Sequence, residues 1–196
     1  TSGDWIGPER IDARNAVARD GDTISGLVVD GAAWPDVRLL MVDAEETTRN
    51  SHAVKRHPEV ADWSPEHHYA SPYRIRAERA RDALQGLMDT HGIQYLELSP
   101  HRGANGEFDN RVDAYGRVLA MVYGDGECFN AALVEKGVAD VYLYDEGGRN
   151  PPEWTLKDYF SYVGTSSADS VSDCDRIVRA FDYEGPLGEA LARLGG

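Results

Sequence analysis

The chain has 196 residues, enough for one domain with its own hydrophobic core, and 41% of these residues are hydrophobic. No uninterrupted apolar run approaches the roughly 18 residues that a membrane span needs, so we expect no membrane insertion. The formal net charge of −14 opposes any polyanionic partner through the long-range electrostatic field.

The first quarter of the chain predicts β-strands. Residues 1–12 show no clear hydrophobic period and are interpreted as an N-terminal extension. From residue 17 the stretch "VARDGDTISGLVVDGAAWPDVRLLMVD" clusters β-forming residues, and Asp30-Gly31 is a turn signal within it. We therefore expect a meander of strands, the last of which runs through residues 37–42 into the acidic sequence "DAEE".

The next segment predicts a long loop and then a helix. Residues 47–70 contain two prolines and no steady period, which is typical of a loop. Ser71-Pro72 signals a helix start and Gly92 a stop, and between them Tyr73, Ala77, Ala80, Leu84 and Leu87 form an apolar stripe at helical spacing.

The predicted loop also contains four of the six histidines. They lack the spacing of recognised metal motifs, so we favour solvent-exposed loop histidines over a transition-metal site. The four are His52, His57, His67 and His68.

The rest of the chain predicts strands over residues 93–98, 117–123 and 138–144, with a short helix at "FNAALVEKG". In residues 146–196 the pattern of strands and helices gives way to a linker of small residues and short helical pieces. We interpret this part as a C-terminal appendage that could bind an assembly partner. Cys128 and Cys174 are far apart in sequence, which leaves open two free thiols or one disulfide bridge.

Four ordered motifs carry a resemblance to a known family. They are "DGDT" (20–23), "RLLMVDAEE" (38–46), "DAYGR" (113–117) and "NAALVEKG" (130–137). In this order and internal spacing the chain resembles the staphylococcal nuclease family over roughly residues 14–145. The resemblance implies a β-rich α+β fold in which residues 13–145 form a five-stranded OB-fold barrel with two or three helices, and it favours a secreted or extracellular location.

The resemblance also implies a site. Its metal ligands would be Asp22, Asp43 and the backbone carbonyl of Ala44, and oxygen-only donors of this kind suit Ca²⁺. Its catalytic residues would be Arg38, Glu46 and Arg117, and its substrate-binding residues Tyr115, Tyr142 and Tyr144. Guanidinium forks hold phosphates bidentately, and aromatic rings stack on bases without demanding a sequence.

The reaction that the resemblance implies is calcium-dependent, in-line attack of water on a phosphodiester, which leaves a 3′-phosphate. The substrate would be single-stranded or otherwise flexible DNA or RNA, cut with low sequence specificity. Three positions depart from the family pattern: Ala44 replaces a threonine, Glu45 a proline and Ala114 a phosphate-contacting lysine.

The acidic composition is the main objection to this interpretation, because phosphate contacts made by basic residues supply most nucleic-acid affinity. Screening at high salt would weaken the repulsion, and a lysine-poor acidic surface is typical of salt adaptation, although an ordinary acidic protein explains it equally well. The alternative is a non-catalytic OB-fold binding or structural module within a larger assembly. The presence of all five expected acids and arginines favours the enzyme: Asp22, Arg38, Asp43, Glu46 and Arg117.

Overall fold

The computed structural model describes residues 5–98 and 115–141, together with residues 173, 176, 177, 179 and 180. Strands in these ranges are β1 (Trp5–Ile6), β2 (Ile11–Asp12), β3 (Val17–Asp20), β4 (Thr23–Ser25), β5 (Val28–Val29), β6 (Ala32–Ala33), β7 (Val37–Leu39), β8 (Val42–Asp43), β9 (Tyr95–Leu98), β10 (Val118–Gly124), β11 (Glu127–Cys128) and β12 (Asp140–Val141). Helices are α1 (Ser51–Arg56), α2 (Pro65–Tyr69), α3 (Pro72–His91) and α4 (Phe129–Glu135), and 3₁₀ turns occur at Pro8–Arg10 and Pro58–Asp62.

The strands form one large sheet and two small ones. The large sheet has the order β1-β9-β10-β7-β4-β3, with β11 also paired to β10, and its β10–β7 pair is parallel. The small sheets are β12-β8 and β2-β5-β6. The predicted α+β class is confirmed, with four α-helices in residues 5–98 and 115–141 where two or three were expected. Pairing there follows an open path, so the closed five-stranded barrel stays a prediction.

Local turn chemistry explains the first strands. Val29 pairs with Ala32 across a two-residue turn in which Asp30 and Gly31 have φ values of 52° and 78°, as a tight hairpin requires. The predicted extension is paired to the rest of the domain, because β2 pairs with β5 of this hairpin and β1 pairs with β9, which follows α3.

The run "VRLLMV" forms two strands, so the prediction of one continuous strand over residues 37–42 is wrong. Met41 is fully buried and has φ of 69°, which breaks the strand between β7 and β8. The turn is held by Asn130 of α4, whose side-chain amide donates to the carbonyl of Leu40 (2.8 Å) and accepts from the amide of Val122 (3.0 Å). This support comes from a residue 90 positions away, which local β propensity does not reveal.

Residues 47–70 form α1, a 3₁₀ turn and α2, so the prediction of a long loop is also wrong. The side chain of Asn50 accepts from the amide of Ala53 (2.9 Å) and that of Ser64 from the amide of His67 (3.1 Å), which caps both helices. Helices of five and six residues are too short to show a hydrophobic period, so only their caps mark them in the sequence.

The predicted long helix is confirmed as α3. Its N-terminus is capped by Ser71, whose hydroxyl accepts from the amide of Arg74 (3.3 Å), and Gly92 ends it at φ of 65°. One helix face packs on the sheet and contributes Ala77, Ala80, Leu84, Leu87 and Met88 to the buried residues.

The core joins α3 and α4 to the large sheet through residues such as Leu39, Met121 and Phe129. Cys128 is a free thiol in this core, and burial raises its pKa to about 12. Ile177 is also fully buried in the core, so part of the predicted appendage packs on the domain. No helix in the described ranges is long and apolar enough to cross a membrane.

Candidate active site

The turn between β3 and β4 is held by close packing at Gly21. A Cβ atom at this position would lie 2.3 Å from the Cβ of Ala80 in α3 and 2.8 Å from that of Ala44. Only glycine lets the helix and the acidic stretch approach the turn so closely. The neighbouring carboxylate of Asp20 accepts hydrogen bonds from the amide (3.2 Å) and hydroxyl (2.6 Å) of Thr47.

Asp22 connects this turn to the acidic stretch. Its side chain is almost fully buried, and one carboxylate oxygen accepts from the amide of Ala44 (2.8 Å). The other oxygen accepts from the hydroxyl of Thr23 (2.9 Å). A carboxylate that is buried and hydrogen-bonded in this way has a fixed orientation.

Arg38 brings the two predicted metal-binding acids together. Its Nη1 donates to the carbonyls of Leu39 (2.8 Å) and Val42 (2.6 Å), and only 7% of the residue is exposed. Its Nη2 lies 3.4 Å from a carboxylate oxygen of Asp22 and 3.4 Å from one of Asp43. The two carboxylates therefore converge on a single cationic atom.

Asp43 has a second cationic partner that sequence reasoning missed. Nη1 of Arg56 donates to its Oδ2 at 2.6 Å, and the same guanidinium also pairs with Asp140. Burial raises the pKa of Asp43, while the charges of Arg56 and Arg38 oppose that rise. The signal for Arg56 was weak, because it lies in a segment that lacks hydrophobic periodicity.

Glu45 occupies the position where the family pattern has proline, and it points into a different cluster of charges. Both of its carboxylate oxygens lie 2.9 Å from Nε2 of His57, and Nη2 of Arg76 donates to Oε1 at 3.1 Å. The Nε atom of Arg56 is 3.5 Å away. These contacts offset the extra negative charge that the substitution introduces.

Glu46 is half-buried beside the same acids. Its Oε2 accepts from the side-chain amide of Asn50 at 2.8 Å. Burial raises the pKa of Glu46, and the negative charges of Asp20 and Asp22 raise it further, while His52 acts in the opposite direction. A carboxylate whose pKa is raised towards neutrality is better suited to take a proton.

Tyr115 and Arg117 lie next to each other and close to His52. The guanidinium of Arg117 is 5.2 Å from the centroid of the exposed Tyr115 ring, and the ring of His52 meets that ring edge-on at 5.2 Å. The charge of His52 also acts on Glu46, where it opposes the rise in pKa. The predicted substrate-binding residues Tyr142 and Tyr144 lie outside the described residues, and so does Ala114, which replaces the lysine of the family pattern.

The four histidines do not converge on one point. His57 stacks on Tyr73 at 3.7 Å and His67 stacks on Trp63 at 4.1 Å. His68 is buried, which corrects the expectation of solvent exposure, and burial lowers its pKa. His57 thus packs the segment 47–70 against α3, and His67 packs within the segment.

The donors at this site fit a hard cation. The described residues contain no group of three or more His, Cys, Asp or Glu placed to hold a metal ion. However, the carboxylates of Asp22 and Asp43 already converge on a positive group, and the third ligand implied by the resemblance, the carbonyl of Ala44, is also an oxygen. Oxygen donors of this kind, completed by water, are the ligand set that Ca²⁺ accepts.

Comparisons with known proteins agree with this geometry. The family model described as "Staphylococcal nuclease homologue" matches residues 36–158. Endonuclease YncB of Bacillus subtilis is 31% identical over 131 residues, which are 65% of this chain and 47% of that protein. The SPbeta prophage-derived endonuclease YokF of the same organism is 30% identical over 140 residues, or 70% of this chain and 36% of that protein. The chain thus spans less than half the length of either relative.

Proposed function

Because the chain belongs to the staphylococcal nuclease homologue family, we propose that it is a calcium-dependent nuclease that hydrolyses phosphodiester bonds of DNA or RNA. Both relatives are named endonucleases, which supports a hydrolase acting on nucleic acid. The observation that carries the proposal is the convergence of Asp22 and Asp43 on Arg38, beside the half-buried Glu46.

Calcium would be held by Asp22, Asp43 and the carbonyl of Ala44, and when bound it supplies positive charge next to the phosphate under attack. The protein fixes these ligands before any metal arrives. The amide of Ala44 donates to Asp22, and Gly21 lets the turn pack against α3. A preorganised site loses little energy to rearrangement during the reaction.

Glu46 is the general base of the proposed mechanism. Its raised pKa favours accepting a proton from the attacking water, and the hydrogen bond from Asn50 to Oε2 orients the carboxylate. In-line attack at phosphorus would leave a 3′-phosphate product.

The arginines stabilise the negative charge that develops on the phosphate oxygens. Arg38 is held rigidly through two backbone carbonyls, and Arg117 approaches from the side of Tyr115. The exposed Tyr115 ring offers a face on which a base can stack, so we expect low sequence specificity and a preference for single-stranded or flexible substrate.

The decisive experiment measures hydrolysis of single-stranded DNA and of RNA with Ca²⁺ and with EDTA, at low and at multimolar salt. Glu46→Gln removes the base and keeps the metal ligands, whereas Glu9→Gln makes the same change at an exposed position in a 3₁₀ turn. We expect cleavage that needs Ca²⁺, is lost in Glu46→Gln, persists in Glu9→Gln and leaves 3′-phosphates.

Two results would count against the proposal. Equal turnover by Glu46→Gln and the wild type would remove Glu46 from the mechanism. No cleavage by folded protein under any of these conditions would favour the non-catalytic binding or structural module.

A further inference from the structure

A cavity of about 560 Å³ adjoins the candidate active site on the side of Asp43. Arg56 connects the two, because it lines the cavity and donates to Oδ2 of Asp43 at 2.6 Å. The cavity is bounded by the end of α1, one face of α3 and the segment that follows α4. The lining residues used below are Glu45, Arg56, Arg76, Arg79, Lys136 and Asp140.

The charge of this cavity is opposite to that of the chain as a whole. Four of these six lining side chains are cationic and two are anionic, whereas the chain carries a formal net charge of −14. Phosphate binding needs such a local excess of positive charge, since the overall field of the protein repels nucleic acid.

Both acids of the cavity are already neutralised. Glu45 accepts from Arg76 at 3.1 Å and lies 2.9 Å from His57, and Asp140 pairs with Arg56. Glu45 thus fixes the positions of Arg76 and, through a 3.5 Å contact with its Nε atom, of Arg56, instead of offering a negative charge to a ligand.

Two cations remain available to a ligand. Arg79 and Lys136 are exposed, and neither side chain makes an ion pair with any residue in the described part of the chain. Arg79 follows Arg76 by three residues on α3, so both point from the same helix face into the cavity.

We propose that this cavity is a subsite for a second backbone phosphate of the nucleic-acid strand, next to the reacting phosphate that Arg38 and Arg117 contact in the proposed mechanism. The inference rests on the proposed nuclease function, which it deepens by naming the residues that hold the strand beyond the reacting bond. Arg79 and Lys136 are its positioning residues, and Arg76 and Arg56, which are held in ion pairs with Glu45, Asp43 and Asp140, line the cavity beside them. The subsite supplies cationic contacts that the family position now occupied by Ala114 does not.

The test compares two double variants that remove the same charge. Arg79→Gln/Lys136→Gln removes the two available cations of the cavity. Arg10→Gln/Arg14→Gln removes two arginines on either side of β2, which pair at the surface with Asp30 and Asp12. Both changes are made in the Glu46→Gln protein, so that binding of a fluorescent single-stranded oligonucleotide is measured with Ca²⁺ present and without cleavage.

We expect the cavity variant to bind the oligonucleotide more weakly than the control variant does. The slope of log affinity against log salt should become shallower by about 0.7 for each backbone phosphate that the variant no longer neutralises. If the variant loses one such phosphate contact, a fourfold increase in salt should weaken its binding by a factor about 2.6 times smaller than it weakens binding by the parent protein. A dinucleotide, which has only one internal phosphodiester, should bind both variants equally.

Equal losses of affinity in the two double variants, or no oligonucleotide binding by the parent protein, would overturn the proposal. Binding of inorganic phosphate is measured as well, because a free phosphate ion and a strand phosphate share the same chemistry. If the wild-type cavity binds inorganic phosphate but Arg79→Gln/Lys136→Gln leaves oligonucleotide affinity unchanged, the cavity is not a strand subsite. Failure of the nuclease proposal is recognised separately. If the wild type does not cleave but the cavity variant still binds the strand more weakly, the subsite stands and only hydrolysis is refuted.

Discussion

Replacement of Asn130 by alanine tests how the site is supported from the core. The amide of Leu40 donates to the carbonyl of Ala120 (2.9 Å), as in a parallel ladder between β7 and β10. The next bond of that ladder would join the amide of Val122 to the carbonyl of Leu40. The Asn130 side chain is inserted there instead and bonds to both groups.

Asn130→Ala leaves these two buried backbone groups without that partner. Each unsatisfied group costs about 1–3 kcal/mol, so we expect the free energy of unfolding to fall by about 3 kcal/mol. The turn at Met41 lies between Arg38 and Asp43, so the proposed nuclease activity should fall as well. Urea denaturation monitored by circular dichroism measures the change in stability, provided that the dependence on urea concentration is unchanged.

Asn15→Ala is the matched control, because Asn15 is exposed and the same atoms are deleted. We expect its effect to stay within about 0.5 kcal/mol. If Asn130→Ala were as mild as the control, the side chain would not be what holds the broken strand, and the explanation of the turn would be wrong.

Three further changes test the site. Gly21→Ala should destabilise the protein by about 1–3 kcal/mol, because the new Cβ would lie 2.3 Å from that of Ala80. The control Gly86→Ala adds a Cβ in open space within α3 and should be neutral or stabilising. Similar denaturation midpoints for the two variants would contradict the close packing at Gly21. Glu46→Gln should raise the melting temperature at neutral pH, because a carboxyl whose pKa is raised in the folded state stabilises the protein only at low pH, and this stabilisation is lost as the pH rises. The gain in melting temperature should vanish below about pH 4, and a gain that persists there would have another cause. Arg117→Ala should lower kcat on the order of 10²-fold if Arg117 contacts the transition state, and steady-state kinetics that show a change in KM alone would instead indicate uniform binding.

Local sequence patterns determined several features of this protein by themselves. The helix α3 was predictable because its stripe, its cap at Ser71 and its stop at Gly92 are all local. The hairpin at Asp30-Gly31 was predictable for the same reason. Ordered motifs also indicated the family and the set of acids and arginines expected at the site, since residue types at fixed spacing are visible without coordinates.

The tertiary structure decided how these groups are arranged. The break at Met41 depends on Asn130, and the partners of Glu45 and Asp43 come from α1 and α3, so none of them follows from neighbouring residues. The positive cavity likewise combines side chains from three parts of the chain in a protein whose composition predicts only repulsion of nucleic acid. Charge composition is a sum over the whole chain, whereas binding depends on which charges folding brings within a few ångströms of one another and which it leaves unpaired.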